Sequence, residues 1–434
     1  MGTYQFVTLG CRLNQAESDL MAEELAGAGL ERAPGEGSPD LVVVNTCTVT
    51  KEATKASRMA LRRAVKNNPS ARVVAIGCYA ESDPDEIAAI DGVDVVLGNA
   101  AKESFLEALE GRARTAPLLQ IDGITTTASI TKPAPKVRAN LKVQTGCDEW
   151  CTFCIIPKTR GPLRSMDEDA LVASARRLVA QGTREVVLTG VHLGKYRFEA
   201  GGDERDLIRL FERLLAIDGL QRVRLSSILS DHLTDEVIDL IAGEPKMCRY
   251  LHVPLQAGHD EILEAMHRPY RIADYLERVE AAKTRIPGLA LATDVIVGFP
   301  GETEAHFQTT LDVVARVGFS KLHVFRYSPR ADTAAFEMPD AVDPNVKKER
   351  SKRLIALGNG MRGDFLNEHL GRPLEVLVED ERVIDGESVC SGQTSDYVRV
   401  WFEGRGLLGR AVEVVGHEVR ADGIRGGTVV DVTV

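Results

Sequence analysis

Thr145-Gly146-Cys147-Asp148-Glu149-Trp150-Cys151-Thr152-Phe153-Cys154 places three thiols within eight residues, spaced C-x3-C-x2-C. A soft metal centre needs thiolates gathered on a loop, and this stretch is too short to be a helix or a hairpin. The number three is informative. A structural zinc closes with four protein ligands. Three cysteines suit a [4Fe-4S] cluster with one iron open to an exogenous ligand. Chance clustering and a zinc knuckle completed by a distant histidine are the other readings of this spacing.

The 434 residues around this loop allow two or three domains. Hydrophobic content of 44% and charged content of 27% are those of an ordinary soluble globular chain. The start, Met-Gly-Thr-Tyr-Gln-Phe-Val, reads as a first strand and not as a signal peptide. No apolar run approaches the ~18 residues of a membrane span, so the expectation is a cytoplasmic protein with no membrane partner. Eight cysteines in such a chain point to metal or redox use, not to a disulfide framework. The net charge of −11 argues against wholesale nucleic-acid coating but permits a local basic patch.

From residue 1 to about 115, strand and helix signals alternate. Strands are expected at Tyr4–Leu9, Leu41–Val44, Val73–Ile76 and Val93–Leu97. Helices are expected over Gln15–Ala28, Ala53–Lys66, Pro84–Ile90 and Lys102–Leu109. Strands separated by helices pair in parallel. Cys11, Cys47 and Cys78 then each follow a strand, at the edge where open α/β sheets bind ligands. One such cysteine is an ordinary core residue; three in successive βα units predict a shared metal site, again with three ligands. Lys55, Arg58, Arg62 and Lys66 share one face of the second helix. They read either as a solvated face or as a phosphate-contacting ridge.

Thr115–Pro135 reads as an extended linker, locally basic through Lys132, Lys136, Arg138 and Lys142. Beyond it, six strand-like segments alternate with helices: Leu141–Gln144, Glu185–Thr189, Arg222–Ser226, Tyr250–Val253, Leu291–Phe299 and Leu322–Tyr327. Six βα units predict a partial barrel with its active face at the C-terminal rim of the strands. Asp167, Thr234 and Asp260 are the expected caps of three of its helices. The cysteine loop, Gly190, Ser227, Gln256 and Gly298 fall at or beyond strand ends on this rim. His192, His252 and His259 also lie near it, although a lone histidine is more often a satisfied polar residue than a catalyst. Cys248 and Cys390 read as plain small residues. A charged helix over Val346–Arg372 leads to a glycine-punctuated run of short strands from Pro373, the pattern of a small OB-like barrel. The fold class is thus α/β: a parallel α/β domain (1–125), a partial (β/α)6 barrel (136–366) and a small β-barrel (370–434).

The C-x3-C-x2-C loop with Phe153 before its last cysteine resembles that of the radical S-adenosylmethionine superfamily. The three-part order resembles the methylthiotransferase family within it. Leu9-Gly10-Cys11-Arg12-Leu13-Asn14, Asn45-Thr46-Cys47-Thr48-Val49, Gly77-Cys78, Cys154-Ile155-Ile156-Pro157 with Arg160-Gly161, and Ser391-Gly392-Gln393-Thr394 of a TRAM-like barrel carry that resemblance. The resemblance implies two [4Fe-4S] clusters, one on Cys11, Cys47 and Cys78 and one on Cys147, Cys151 and Cys154. It implies S-adenosylmethionine held by the second cluster, with Phe153, Gly190, Ser227, Gln256 and Gly298 around it. It also implies an electron donor and a sulfur source as partners, and no catalytic side chain beyond the clusters is assigned.

Leu188–Gly194, Thr8–Gln15 and Val389–Thr394 look most like the branch that methylthiolates N6-threonylcarbamoyladenosine at position 37 in the tRNA anticodon loop. The alternatives are N6-isopentenyladenosine in tRNA and an aspartate of a ribosomal protein. From Gly371 to Val434, seven Arg and no Lys stand against twelve Asp plus Glu, a net of −5. That balance suits a basic protein partner better than RNA. Ala257 and His259 replace common serines of the family, and Arg271 a common threonine. From other classes, an electron-transfer iron–sulfur protein would explain two clusters but not a cofactor-holding barrel. An RNA-binding module would explain the tail but not six placed cysteines.

Overall fold

The structure, a computed structural model, describes residues 2–34, 37–111, 136–384 and 386–433. The linker expected over Thr115–Pro135 lies outside the described residues. The chain divides into two compact units, one of Met1–Pro135 with Thr145–Glu149 and Cys154–Leu163, the other of Lys136–Gln144, Trp150–Phe153 and Arg164–Val434.

The first unit is built on β1 (Thr3–Thr8), β2 (Glu31–Arg32), β3 (Leu41–Thr46), β4 (Arg72–Gly77) and β5 (Val95–Leu97). They form one sheet in the order β2-β1-β3-β4-β5, parallel throughout. Central β3, Leu-Val-Val-Val-Asn-Thr, is buried along its length. Its side chains alternate between two cores. Val43 joins Tyr4, Met21, Leu25 and Phe105 on one face, while Val42 and Val44 join Leu61, Val73 and Tyr79 on the other. Helices α1 (Arg12–Gly27) and α2 (Lys51–Asn67) follow β1 and β3, and the short α3 (Cys78–Ser82) follows β4 directly. Two readings need correcting. The edge strand Glu31–Arg32 is too short and polar to be recognised. The helix expected over Lys102–Leu109 is a 3-10 turn, Asn99–Glu103, followed by Phe105–Gly111.

In the second unit the six expected strands are present as Arg138–Lys142, Glu185–Thr189, Arg222–Leu225, Tyr250–His252, Ala290–Val297 and Lys321–Arg326. All pair in parallel, but as two three-stranded sheets. Between Arg222–Leu225 and Tyr250–His252 there is no continuous ladder; the isolated bridge Val223–Met247 lies beside this seam. One apolar cluster, with Val186, Phe211, Ile238, Tyr275, Val295 and Phe307, binds both sheets and their helices together. Asp167 and Thr234 cap their helices as expected, accepting from Ala170 N and Val237 N. Asp260 does not. His259 is the cap, its Nδ1 accepting from Glu261 N, and Asp260 is the first helical residue, accepting from Ile272 N instead.

Pro344–Asn367 is a long helix, capped by Asp343 and begun by Pro344. It leads into a closed barrel of Pro373–Ile384, Glu387–Gln393, Arg399–Glu403, Ala411–Arg420 and Gly423–Thr433. The second of these, Glu-Ser-Val-Cys-Ser-Gly-Gln, has few strand-favouring residues and escapes the sequence pattern. Arg222 and Arg224 fix this barrel to the third strand of the larger one. Arg222 donates to Gln393 O at 2.7 Å, and Arg224 to Ser395 O at 2.9 Å and Thr394 O at 3.1 Å. Arg224 also pairs with Glu185 at 2.6 Å, both fully buried, and its guanidinium lies 4.5 Å from the Tyr397 ring centroid. Cys248 and Cys390 are buried. Burial pushes the Cys248 thiol up to about 12, as for an inert small side chain.

Candidate functional site

Parallel pairing brings the three amino-terminal cysteines together. Thr8 is in register with Asn45, and Thr46 with Gly77, so the strand ends lie side by side. Cys11 caps α1 in an extended conformation, Cys47 follows β3, and Cys78 opens α3. Cys47 and Cys78 are buried and Cys11 is exposed. Gly10 and Gly77 permit the approach. At Gly10 (φ +90°) an added Cβ would lie 2.7 Å from Cys47 Cβ, and at Gly77 (φ +106°) 2.6 Å from the Thr46 carbonyl. Ser57 of α2 clamps Cys47, accepting from its N at 2.9 Å and donating to its O at 2.8 Å.

Burial raises the Cys47 thiol above its ordinary value, and the Cys78 and Cys11 sulfurs add to the effect, while the Val49 amide and Arg160 oppose it. Three sulfurs close enough to resist joint ionisation are stabilised as thiolates by a cationic metal core. Asn99 Nδ2 stands 3.6 Å from Cys78 Sγ and donates to Thr159 O at 2.6 Å. Behind the triad, Asn14, Glu17, Lys102 and Arg160 form a buried network. Sequence reasoning assigned none of them a role. The only signal was that Asn14 and Arg160 stood inside quoted motifs.

In the central loop, Cys147 and Cys151 are buried and Cys154 is half-buried. Gly146 has φ +71°, and a Cβ there would sit 1.8 Å from Pro162 O. Cys147 N donates to Gly161 O at 3.2 Å, and Glu149 N points at Cys147 Sγ from 3.4 Å. Thr152 is anchored through its N to Met266 O at 3.2 Å and its Oγ1 to Ala265 O at 2.8 Å. Arg268 donates to Cys151 Sγ at 3.2 Å. N–H···S bonds of this kind stabilise a metal-bound thiolate and tune its cluster. Arg268 also went unassigned, because an arginine more than a hundred residues from the loop carries no local signal.

Of the proposed cofactor positions, Gly190, Ser227, Gln256 and Gly298 lie one to four residues beyond strand ends, and Phe153 lies in the cysteine loop. Phe153 packs against the main core of its unit. Gly190 follows Glu185–Thr189, and the next two backbone amides, of Val191 and His192, both donate to Gln144 Oε1 at 2.8 Å. Ser227 lies just beyond Arg222–Leu225 and is half-buried. Gln256 is held at φ +64° with its backbone bonded to Asp294 O and Ile296 N. Gly298 has φ +73°, and its N donates to Glu302 Oε1 at 2.9 Å. The three histidines separate in role. His259 is a helix cap beside His306, at 4.3 Å between ring centroids. His192 is buried edge-on to His232. His252 Nε2 lies 3.2 Å from Asp294 Oδ1, with the His323 ring stacked at 5.7 Å.

On α2, Lys55, Arg62 and Lys66 are exposed. Arg58 departs from the expected ridge. It is turned to Tyr79 OH, at 3.1 Å, and to the Glu86 carboxylate.

Comparison with known proteins agrees with this geometry. Residues 141–314 match the radical SAM superfamily, and residues 3–98 match a family described as uncharacterized protein family UPF0004. The solved structure of the radical S-adenosylmethionine methyltransferase TsrM from Kitasatospora setae has a similar fold. It shares a TM-score of 0.56 and 17% identity, covering 77% of each chain. The fold and the cysteine loop therefore define a radical S-adenosylmethionine enzyme, which uses a [4Fe-4S] cluster and S-adenosylmethionine.

Within that class, the chain is 39% identical over 427 residues to the threonylcarbamoyladenosine tRNA methylthiotransferase MtaB of Bacillus subtilis, covering 95% of this chain and 93% of the relative. It is 36% identical to the protein of that name from Aquifex aeolicus, over 94% of this chain and 99% of the relative. It is 34% identical to the tRNA-2-methylthio-N(6)-dimethylallyladenosine synthase of Carboxydothermus hydrogenoformans, over 95% and 96%. The chain belongs to the methylthiotransferase family, transferases of sulfur-containing groups that carry two clusters.

Proposed function

We propose that this enzyme adds a methylthio group to C2 of N6-threonylcarbamoyladenosine at position 37 of tRNA, in the cytoplasm. One observation carries the reading: two separate three-cysteine sites in a chain that matches the threonylcarbamoyladenosine enzymes along nearly its whole length. Cys11, Cys47 and Cys78 hold one cluster; Cys147, Cys151 and Cys154 hold the other. Both sets fit such a group: each supplies three thiols, two of them buried, and N–H donors are aimed at Cys78 in the first and at Cys147 and Cys151 in the second. When bound, the second cluster with S-adenosylmethionine supplies a carbon radical strong enough to take hydrogen from an unreactive C–H bond.

The chain's own part is to hold and shield. Arg268 holds its positive guanidinium beside the Cys151 sulfur. Gly190, Ser227, Gln256 and Gly298 give the cofactor a backbone-lined rim, and Phe153 backs the loop. An anticodon-loop adenine is unpaired and can be turned out into a pocket. Lys55, Arg62 and Lys66 offer phosphate contacts. An external electron donor and a sulfur source complete the reaction. Among the described residues, no helix is long and apolar enough to cross a membrane.

The relatives named for dimethylallyladenosine, at 34–35% identity, favour a second reading with that base as substrate. Nucleoside mass spectrometry separates the two. Expression in a host that makes both precursor bases but lacks methylthiotransferases is expected to yield 2-methylthio-N6-threonylcarbamoyladenosine. Appearance of only the dimethylallyl product would exchange the readings.

A further inference from the structure

The strands Tyr250–His252, Ala290–Val297 and Lys321–Arg326 carry a polar cluster to which the cysteines and the cofactor rim give no role. Side chains on these strands alternate between two faces. Leu251, Leu291 and Val295 are buried in the main core with Tyr275 and Phe307 of the flanking helices, and Leu322 and Val324 pack against it. His252, Asp294 and His323 therefore share the opposite, inner face. Parallel register groups them: His252 stands opposite Ala292, two residues before Asp294, and Asp294 stands opposite His323. His252 Nε2 lies 3.2 Å from Asp294 Oδ1, and the His252 and His323 rings stack at 5.7 Å.

This inner face is closed at the amino-terminal end of its strands and open above. Tyr250, Ala290 and Ala292 pack against Phe365 and Tyr397, with the two tyrosine rings 4.7 Å apart. At the level of the cluster the face becomes accessible. The Asp294 side chain is 29% exposed, and Phe325, two residues beyond His323 on the same face, is 41% exposed. The cluster also adjoins a proposed cofactor position, because Asp294 O accepts from Gln256 N at 2.9 Å and Gln256 O from Ile296 N at 2.8 Å. A carboxylate and imidazoles offer hydrogen bonds to a ligand on this face, and an exposed aromatic ring offers a stacking surface for a base.

We propose that His252, Asp294 and His323 recognise the polar N6 substituent of the target adenosine, with Phe325 stacking on its base. This rests on the reading of N6-threonylcarbamoyladenosine as substrate. That substituent is a threonine joined through a urea, and it brings a hydroxyl, a carboxylate and N–H groups. Asp294 accepts from the hydroxyl and the urea N–H, His323 donates to the carboxylate, and His252 orients Asp294. A dimethylallyl group has no polar atom and leaves these side chains unmatched. A site that hydrogen-bonds its substrate discriminates strongly against an analogue that lacks the partner group.

The full chain, reconstituted anaerobically, is titrated with anticodon stem–loops that differ only at position 37: adenosine, its N6-threonylcarbamoyl derivative or its N6-dimethylallyl derivative. S-adenosylmethionine binding, iron and zinc are measured on the same samples. The parent is expected to bind the threonylcarbamoyl loop about tenfold more tightly than the adenosine loop. In Asp294→Leu and His323→Leu that ratio is expected to fall to about one, with the dimethylallyl loop gaining on the other two. The isosteric Asp294→Asn, which replaces an acceptor oxygen by a donor, is expected to lower the ratio as well. A ratio taken within one variant cancels general losses of fold or of phosphate contacts. A parent without preference for the threonylcarbamoyl over the adenosine loop, or variants that keep the parent's ratio, would overturn the proposal. So would loss of S-adenosylmethionine binding in Asp294→Asn at full iron content, which would place the cluster in the cofactor site, or a stoichiometric zinc that the parent holds and the variants lose. A parent that prefers the dimethylallyl loop would overturn the substrate reading itself, and this inference with it.

Discussion

His369, just beyond the long helix Pro344–Asn367, hydrogen-bonds through Nε2 to Asp396 in the terminal barrel. Burial works against the charge on each, but their mutual hydrogen bond and attraction outweigh it. The His369 pKa is raised and that of Asp396 lowered. A raised histidine stabilises the fold fully below its unfolded pKa of about 6.5 and loses that contribution as pH rises through the folded value. A depressed aspartate stabilises it above about 3.9 and loses that contribution as pH falls through its folded value. The pair is therefore strongest between those limits. His369→Gln is expected to cost about 2 kcal/mol at pH 6 and less at pH 9, measured by urea unfolding at each pH; an equal cost at both would refute the coupling. Neither residue was singled out from sequence, since their separation of 27 positions hides the contact. The six cysteines proposed as ligands stand out in the sequence, because thiols at such spacings are rare and strand ends locate the first three.

At the level of elements, the cysteine loop depends on one backbone contact. Gly146→Ala would strain a positive φ, costing about 1–2 kcal/mol, and would force the Pro162 carbonyl away from the loop. The variant is expected to lose iron from the central site alone, leaving about half the iron by colorimetric assay; full iron would show that the loop adapts. The pattern of helix α2 gives a four-residue basic face, either solvated or phosphate-contacting, and the fold pairs one member while leaving its side chain 36% exposed. Arg58 is committed to Tyr79 and Glu86, which the chain brings near only through β4 and the helices after it. Reversing Lys55, Arg62 and Lys66 to Glu is expected to lower tRNA affinity about tenfold at low salt and to flatten its salt dependence. Unchanged binding in a filter assay would leave these residues as a solvated face. Cap chemistry shows the same division: Asp167 and Thr234 cap their helices as expected, whereas His259 takes the place of Asp260, whose carboxylate accepts from Ile272 N instead.

For the whole chain, the prediction is about eight irons per molecule after anaerobic reconstitution, falling to about four in Cys147→Ala. A chain that retained only zinc would contradict both sites. The acidic terminal barrel, net −5 over residues 371–434, has a structural use for part of its charge. Glu375 pairs with Arg222 and Glu379 with Arg138, both on strands of the larger barrel. Its composition therefore reflects docking in part, which the sequence read as a sign of a basic partner. By itself the sequence determined the α/β class, the order of its parts and the grouping of six cysteines in two threes. Those follow from local periodicity and from the chemistry of a few residue types. Only the tertiary structure decided what surrounds the ligands: Lys102 and Arg160 beside the first triad, Arg268 on Cys151, and Arg224 with Glu185 under the small barrel. Buried charges find partners by spatial proximity in a low-dielectric interior, and no spacing along the chain encodes that.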